Sequence, residues 1–305
     1  MSKRRGEKAM VPDAKFTSYY GRPVLKKPAW KALDIAGYLF LGGLAGASSV
    51  LAGGAELTGR PTLARGLKLG ALAAISGSAV ALVHDLGRPE RFVNMLRVIK
   101  PSSPMSVGSW LLLAYGPAVG AAAVSDLTGV LPRTGRAAAL AAAVLGPAVA
   151  AYTAPLVANT AVPTWHEGHR ELPFVFVGSA ASAAGGLGML VAPVAEAGPA
   201  RRAAVLGAAA ELAAMRLMER RMGLAAEPLR AGKAGKLLRA AEILTAAGAV
   251  VGAAGGRRSR LAAVAGAAAS LAGSACTRFA VFHAGVASAE DPKYTIQPQR
   301  ERLSV

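Results

Sequence analysis

The sequence predicts an all-α integral membrane protein that crosses the bilayer eight times, and three observations predict it. Of the 305 residues, 53% are hydrophobic and only 17% charged, against about a quarter charged in an ordinary soluble domain. The apolar residues come in runs of about twenty, the length a helix needs to cross a ~30 Å hydrocarbon layer. Gly and Ala recur inside those runs, as in Gly42-Gly43-Leu44-Ala45-Gly46 and Gly185-Gly186-Leu187-Gly188. Such small residues let helices approach closely where lipid is as apolar as the helix surface.

The chain opens on a polar, basic tail, residues 1–29, in which no apolar core follows the charges. It therefore reads neither as a signal peptide nor, at Arg4-Arg5, as a twin-arginine export signal. The spans follow at 30–54, 63–83, 110–128, 138–162, 174–195, 203–218, 240–255 and 261–286. Gly146-Pro147 and Pro155 should kink the fourth. Residues 90–100 read as a short interfacial helix, with Phe92, Met95, Leu96 and Ile99 on one face. It could close over a pocket or merely anchor. The tail 289–305 is polar, carries Pro292 and Pro298, and cannot build a core of its own. It is expected to be disordered or pinned by a soluble partner.

An even number of spans puts both termini on one face. Of the 35 Lys and Arg residues, only ten fall on the opposite face. The positive-inside rule then places both termini in the cytoplasm and the chain in the cell membrane. His84, His166, His169 and His283 all fall on that cytoplasmic side, which argues against a haem held across a helical bundle. The net charge of +18 reads as anchoring to one leaflet of the lipid bilayer, not as nucleic-acid binding. One cysteine, Cys276, excludes an internal disulfide and a Cys-ligated iron–sulfur cluster. His166 and His169 lack further donors for a metal site.

Residues 84–110, HDLGRPERFVNMLRVIKPSSPMSVGSW, hold the densest set of ionisable and turn-forming groups. Asp85 follows a helix and so faces the negative end of its dipole, which favours the protonated acid. An acid held near neutrality beside the His84 imidazole suits proton-coupled chemistry at a membrane surface. Within the spans, ionisable groups are expensive and mark pathways or partners. They are Asp34 about one turn into the first, Glu211 near the middle of the sixth, and Arg278 with His283 in the last. Tyr152 adds a phenol two turns before the end of the fourth. No P-loop, Rossmann glycine motif or nucleophile elbow is present. Redox chemistry would need a lipid-phase cofactor or a partner's centres.

HDLGRPERFVNML at 84–96, followed by SPMSVGSW at 103–110, resembles the membrane subunit of the polysulfide-reductase family, the NrfD-like proteins. Tyr38-Leu39-Phe40-Leu41-Gly42-Gly43, Tyr152-Thr153, Pro163-Thr164-Trp165, Leu172-Pro173-Phe174 and Arg278-Phe279 extend the likeness. The resemblance implies eight helices in two four-helix bundles, 30–162 and 163–288, with a quinone site in the first and no redox centre in the chain. It implies an iron–sulfur subunit of ferredoxin type and a molybdopterin catalytic subunit as partners. It matches the family's quinone-binding acid to Asp85 and its tyrosine to Tyr152. Some members carry a histidine near the start of the first helix; Asp34 is the nearest ionisable group here.

The expected chemistry follows from both lines. A menaquinone or ubiquinone binds between spans one, two and four, held by Tyr152 and His84, with Asp34 nearby. Asp85 exchanges its proton while Arg88 steadies the Asp85 charge and helps dock the partner. Protons that cross the membrane would use Glu211, Arg278 and His283. The competing readings are a non-catalytic anchor for a soluble oxidoreductase and a proton-coupled transporter.

Overall fold

The structure, a computed structural model, describes residues 24–86, 90 and 92–303. Among these residues it is entirely helical. The long helices are α1 (Ala32–Leu57), α2 (Pro61–Asp85), α4 (Pro104–Thr128), α5 (Pro132–Ala158), α7 (Leu172–Val191), α8 (Gly198–Arg221), α10 (Gly232–Ala254) and α11 (Arg260–Glu290). Short helices lie between and after them: α3 (Phe92–Met95), α6 (Pro163–Glu167), α9 (Glu227–Arg230) and α12 (Lys293–Leu303).

Every expected span falls within one long helix or overlaps most of it. The helices often begin earlier than the apolar runs because Pro61, Pro104 and Pro132 start them. Proline is tolerated at the first turn, where its missing N–H has no partner to lose. Seven of the long helices are long and apolar enough to cross a membrane. The exception is α8, which has 24 residues but carries Arg201, Arg202, Glu211, Arg216, Glu219, Arg220 and Arg221.

Two expectations need correction. The interfacial helix expected over 90–100 shrinks to α3, after which the chain turns toward Pro101. Its apolar spacing is real, but Met95 and Leu96 are used as cavity walls and not as one continuous helical face. The C-terminal tail is not without structure. The last long helix runs on to Glu290, and α12 folds back, tied by Lys293 Nζ to Glu227 Oε2 at 2.5 Å. Pro292 stands just ahead of α12, where it favours a helix start.

Packing divides the long helices by neighbour. In the first set α1 lies along α2 and α5, α5 along α4, and α2 meets α4 much more lightly. In the second, α7 pairs with α8 and with α11, while α10 pairs with α11 and α8. The sets meet where α1 packs on α7 and α11, and α5 on α7. The tightest crossing in the first set is at Gly46 and Gly146. An added Cβ at either would overlap the other's carbonyl oxygen, so only glycine allows α1 and α5 to touch backbone to backbone.

The two ends of the first set differ. At one, buried Lys68 on α2 is held by Glu56 Oε2 at 2.7 Å and Asp126 Oδ1 at 2.8 Å. At the other stand Asp34, His84 and Asp85. The indole of Trp165 belongs to this second end: it is 2% exposed, donates to the Val281 carbonyl at 2.8 Å and stacks on Trp30.

Candidate functional site

The connection between α1 and α2 is only three residues, so the start of α1 and the end of α2 share a face. The same face receives the start of α4 and the end of α5. Tyr38 lies six residues from the start of α1 and Tyr152 six from the end of α5. Each is therefore about 9 Å deep along its helix at a 1.5 Å rise per residue. That common depth is why their hydroxyls meet and share a hydrogen bond. Gly108 on α4 makes room for the pair: an added Cβ there would overlap the Tyr152 ring.

Around these phenols is a cavity of about 90 Å³. Its walls are Trp30, Ile35, Tyr38, Leu39, Leu82, Asp85, Leu86, Met95, Met105, Gly108, Ser109, Leu112, Tyr152, Leu156 and Val157. Most are apolar. The polar groups converging on it are the two phenols, the Asp85 carboxylate and the Ser109 hydroxyl. An apolar cavity with a few placed polar groups is the usual form of a small-molecule site. Asp85 is the last residue of α2, and its Oδ1 accepts the Lys31 backbone N–H at 3.2 Å. That bond ties the segment leading into α1 to the end of α2.

The expected site residues divide in the structure. Asp85 and Tyr152 line one cavity, although 67 residues separate them. His84 and Asp34 do not line it. They pair instead with each other, Nδ1 to Oδ2 at 2.9 Å, with His84 largely exposed and Asp34 buried. The imidazole expected beside Asp85 is thus engaged by a different acid. Successive residues on a helix point about 100° apart, which separates the two side chains. Arg88 lies outside the described residues.

Glu211, Arg278 and His283 lie away from this cavity, in the second set of helices. Glu211 is buried on α8 and accepts the Thr277 hydroxyl at 2.5 Å through Oε1, while Oε2 has no hydrogen-bond partner among the described residues. Arg278 is fully buried. It donates from Nη2 to the Phe176 carbonyl at 2.8 Å and from Nε to the Leu39 carbonyl at 3.4 Å, and its guanidinium sits over the Phe176 ring. Its Nη1 has no hydrogen-bond partner among the described residues. Leu39 is also a wall of the Tyr38–Tyr152 cavity, so Arg278 reaches the back of that wall. His283 lies further along α11, edge-on to Phe282, with Nε2 unpartnered among the described residues.

Tyr38 is the main residue missed by reasoning on ionisable groups. Taken singly, a tyrosine near the start of an apolar span looks like an ordinary interfacial anchor. Its occurrence at the same depth as Tyr152 was the available signal. Among the described residues no three His, Cys, Asp or Glu side chains come together as metal ligands would.

A comparison with curated proteins finds no match. The family model described as polysulphide reductase, NrfD, matches residues 25–289, which takes in both sets of helices, the cavity and the buried Glu211 and Arg278. The chain belongs to the NrfD polysulphide reductase family.

Proposed function

We propose that the chain is the quinone-reactive membrane subunit of a multi-subunit oxidoreductase. It would exchange electrons between the membrane quinone pool and an iron–sulfur partner, itself joined to a molybdopterin catalytic subunit. The observation that carries this reading is the cavity where the Asp85 carboxylate and the Tyr38–Tyr152 pair meet within apolar walls. Family membership supports it. We also read the helix neighbours as two four-helix bundles and α8 as an eighth span, its charges tolerated because Glu211 faces protein. Both termini and the cavity mouth then face the cytoplasm by the positive-inside rule.

In this reading a quinone head occupies the cavity with one carbonyl oxygen toward the phenols. The hydroxyls of Tyr38 and Tyr152 share one proton between them, which leaves the other available to the substrate oxygen. Asp85 stands at the mouth and moves a proton between substrate and surface. Reduction of a quinone to a quinol takes up two electrons and two protons, and the electrons come directly from the docked partner. The exposed His84, held by Asp34, is placed to pass protons between water and the mouth. The second bundle adds proton translocation, with Glu211 the exchanging acid and Arg278 and His283 along its route. Arg278 is the link to the cavity, through the Leu39 carbonyl.

Binding of a fluorescent quinol-analogue inhibitor tests the reading. Saturable binding to the wild type, weakened in Asp85→Asn and Tyr152→Phe, is expected. No binding by folded protein, with and without its iron–sulfur partner, would leave only a membrane anchor.

A further inference from the structure

A second cavity begins where the first one ends. It has a volume of about 280 Å³ and runs along the outside of the first set between α2 and α4. Leu82, Ser109 and Leu112 belong to the walls of both. From these shared residues the groove descends toward the middle of the membrane past Ile75 and Leu72 on α2 and past Gly116 and Pro117 on α4. At its upper end stands Leu96, next to Met95 of the first cavity.

Three features make this groove more than an ordinary seam. The α2–α4 pair is the one neighbouring pair in the first set that packs lightly. Among the described residues nothing lies within 4 Å of where a Cβ of Gly116 would stand, so no side chain fills the groove there. The lining is also almost wholly aliphatic, with Ser76 and Ser109 its only hydroxyls among the described residues. A water-soluble substrate would gain nothing from it. A long apolar chain attached to a head group in the first cavity would leave by this route and bury its length against Leu72, Ile75 and Leu113.

We propose that the α2–α4 groove holds the isoprenoid tail of the quinone and is the lateral path by which the head passes from lipid into the Tyr38–Tyr152 cavity. The inference rests on the quinone reading above. It adds where the tail of that quinone lies, and that Gly116 keeps its path open. Leu96 and Met95 form the sill between groove and cavity, so the short α3 segment borders the path.

The test is a plug. Gly116→Phe adds a large side chain in open space and removes a helix-destabilising glycine, so the fold should survive it. Ala79→Phe narrows the groove from α2. The full chain in lipid nanodiscs is titrated with quinones of one ring type carrying either a single isoprene unit or several. Quenching of tryptophan fluorescence reports binding, since Trp30 is part of the cavity wall. The wild type should prefer the longer tail. Both plugs should weaken long-tailed binding about tenfold or more, as expected when several buried CH₂ groups lose their site, and leave short-tailed binding within about twofold. Unchanged long-tailed binding would overturn the proposal and leave the groove to lipid acyl chains. Equal loss of equilibrium affinity for both tails would overturn it too, since a closed path slows entry without changing affinity and the plug would then act on the head cavity. Failure of the wild type to bind even the short-tailed quinone would instead sink the quinone reading itself.

Discussion

The two sets of long helices bury polar groups in opposite ways. In the first, charged groups are paired and sit toward the ends: Asp34 with His84 at one, Lys68 with Glu56 and Asp126 at the other. Between them the polar side chains are mainly hydroxyls, including Ser49 and Tyr115 bonded at 2.7 Å. In the second, an acid and a base lie deep, and each keeps an atom without a partner. Among the described residues, Ser182, Glu211, Thr245, Ser270, Arg278 and His283 all hold such atoms there, against Ser48 and Thr153 in the first set. Unused hydrogen-bonding capacity is costly in an apolar interior. Its concentration in one half fits the proposed division of labour, with substrate held in the first set and protons handled in the second.

That division can be broken experimentally. The largest effect should come from Asp85→Asn, which removes the only carboxylate among the described residues of the cavity wall. Loss of a positioned proton-transfer group costs about 10²–10⁴-fold, so quinone turnover by the assembled complex should fall by that order while the complex still forms. Gly108→Ala should come next. Its methyl would displace the Tyr152 ring, lowering turnover about tenfold, as a small misplacement of a binding group does. A variant as active as the wild type would show that Tyr152 does not need its present place.

Glu211→Gln sharpens the contrast from the other side. It leaves every cavity residue in place, so quinone turnover should stay within about twofold, whereas proton movement per turnover in sealed vesicles should fall. A carboxamide keeps the hydrogen-bonding shape but cannot exchange the proton. Unchanged proton movement would return Glu211 to a structural role.

The smallest effect concerns pH and stability. Glu171, in the connection before α7, receives Arg221 Nε at 2.6 Å and Nη2 at 2.7 Å. This pairing holds its carboxyl below the usual carboxylate range. A depressed folded pKa contributes stability above the unfolded value, and that contribution is lost as pH falls through the folded one. The melting temperature should therefore drop on acidification below about pH 4. Glu171→Gln should be less stable at neutral pH and should lose less on acidification.

Much of the fold was legible because span length and small-residue content are direct consequences of the bilayer. Helix starts were not, since Pro104 and Pro132 begin helices several residues ahead of the apolar runs. α12 was missed because Pro292 and Pro298 read as breakers, although the first merely precedes the helix. In the site, Asp85 and Tyr152 stood out by type and position. The Asp34–His84 pair spans 50 residues, and only the α1–α2 hairpin brings it together. Tyr38 needed knowledge of a partner on α5, which local pattern does not contain.

The placement of α1 also bears on how the protein is made. The span of α1 is 67% buried, and its neighbours include α2, α5, α7 and α11. It leaves the ribosome ahead of the other described spans, since chains emerge N-terminus first. The Leu39 carbonyl receives its bond from Arg278, 239 positions later. Until the last span is inserted, the first helix has lipid where Arg278 and its neighbours will be. The back of the cavity wall is therefore among the last parts of the molecule to close, and a chain cut short before α11 would present an unfinished site to any partner that docks early.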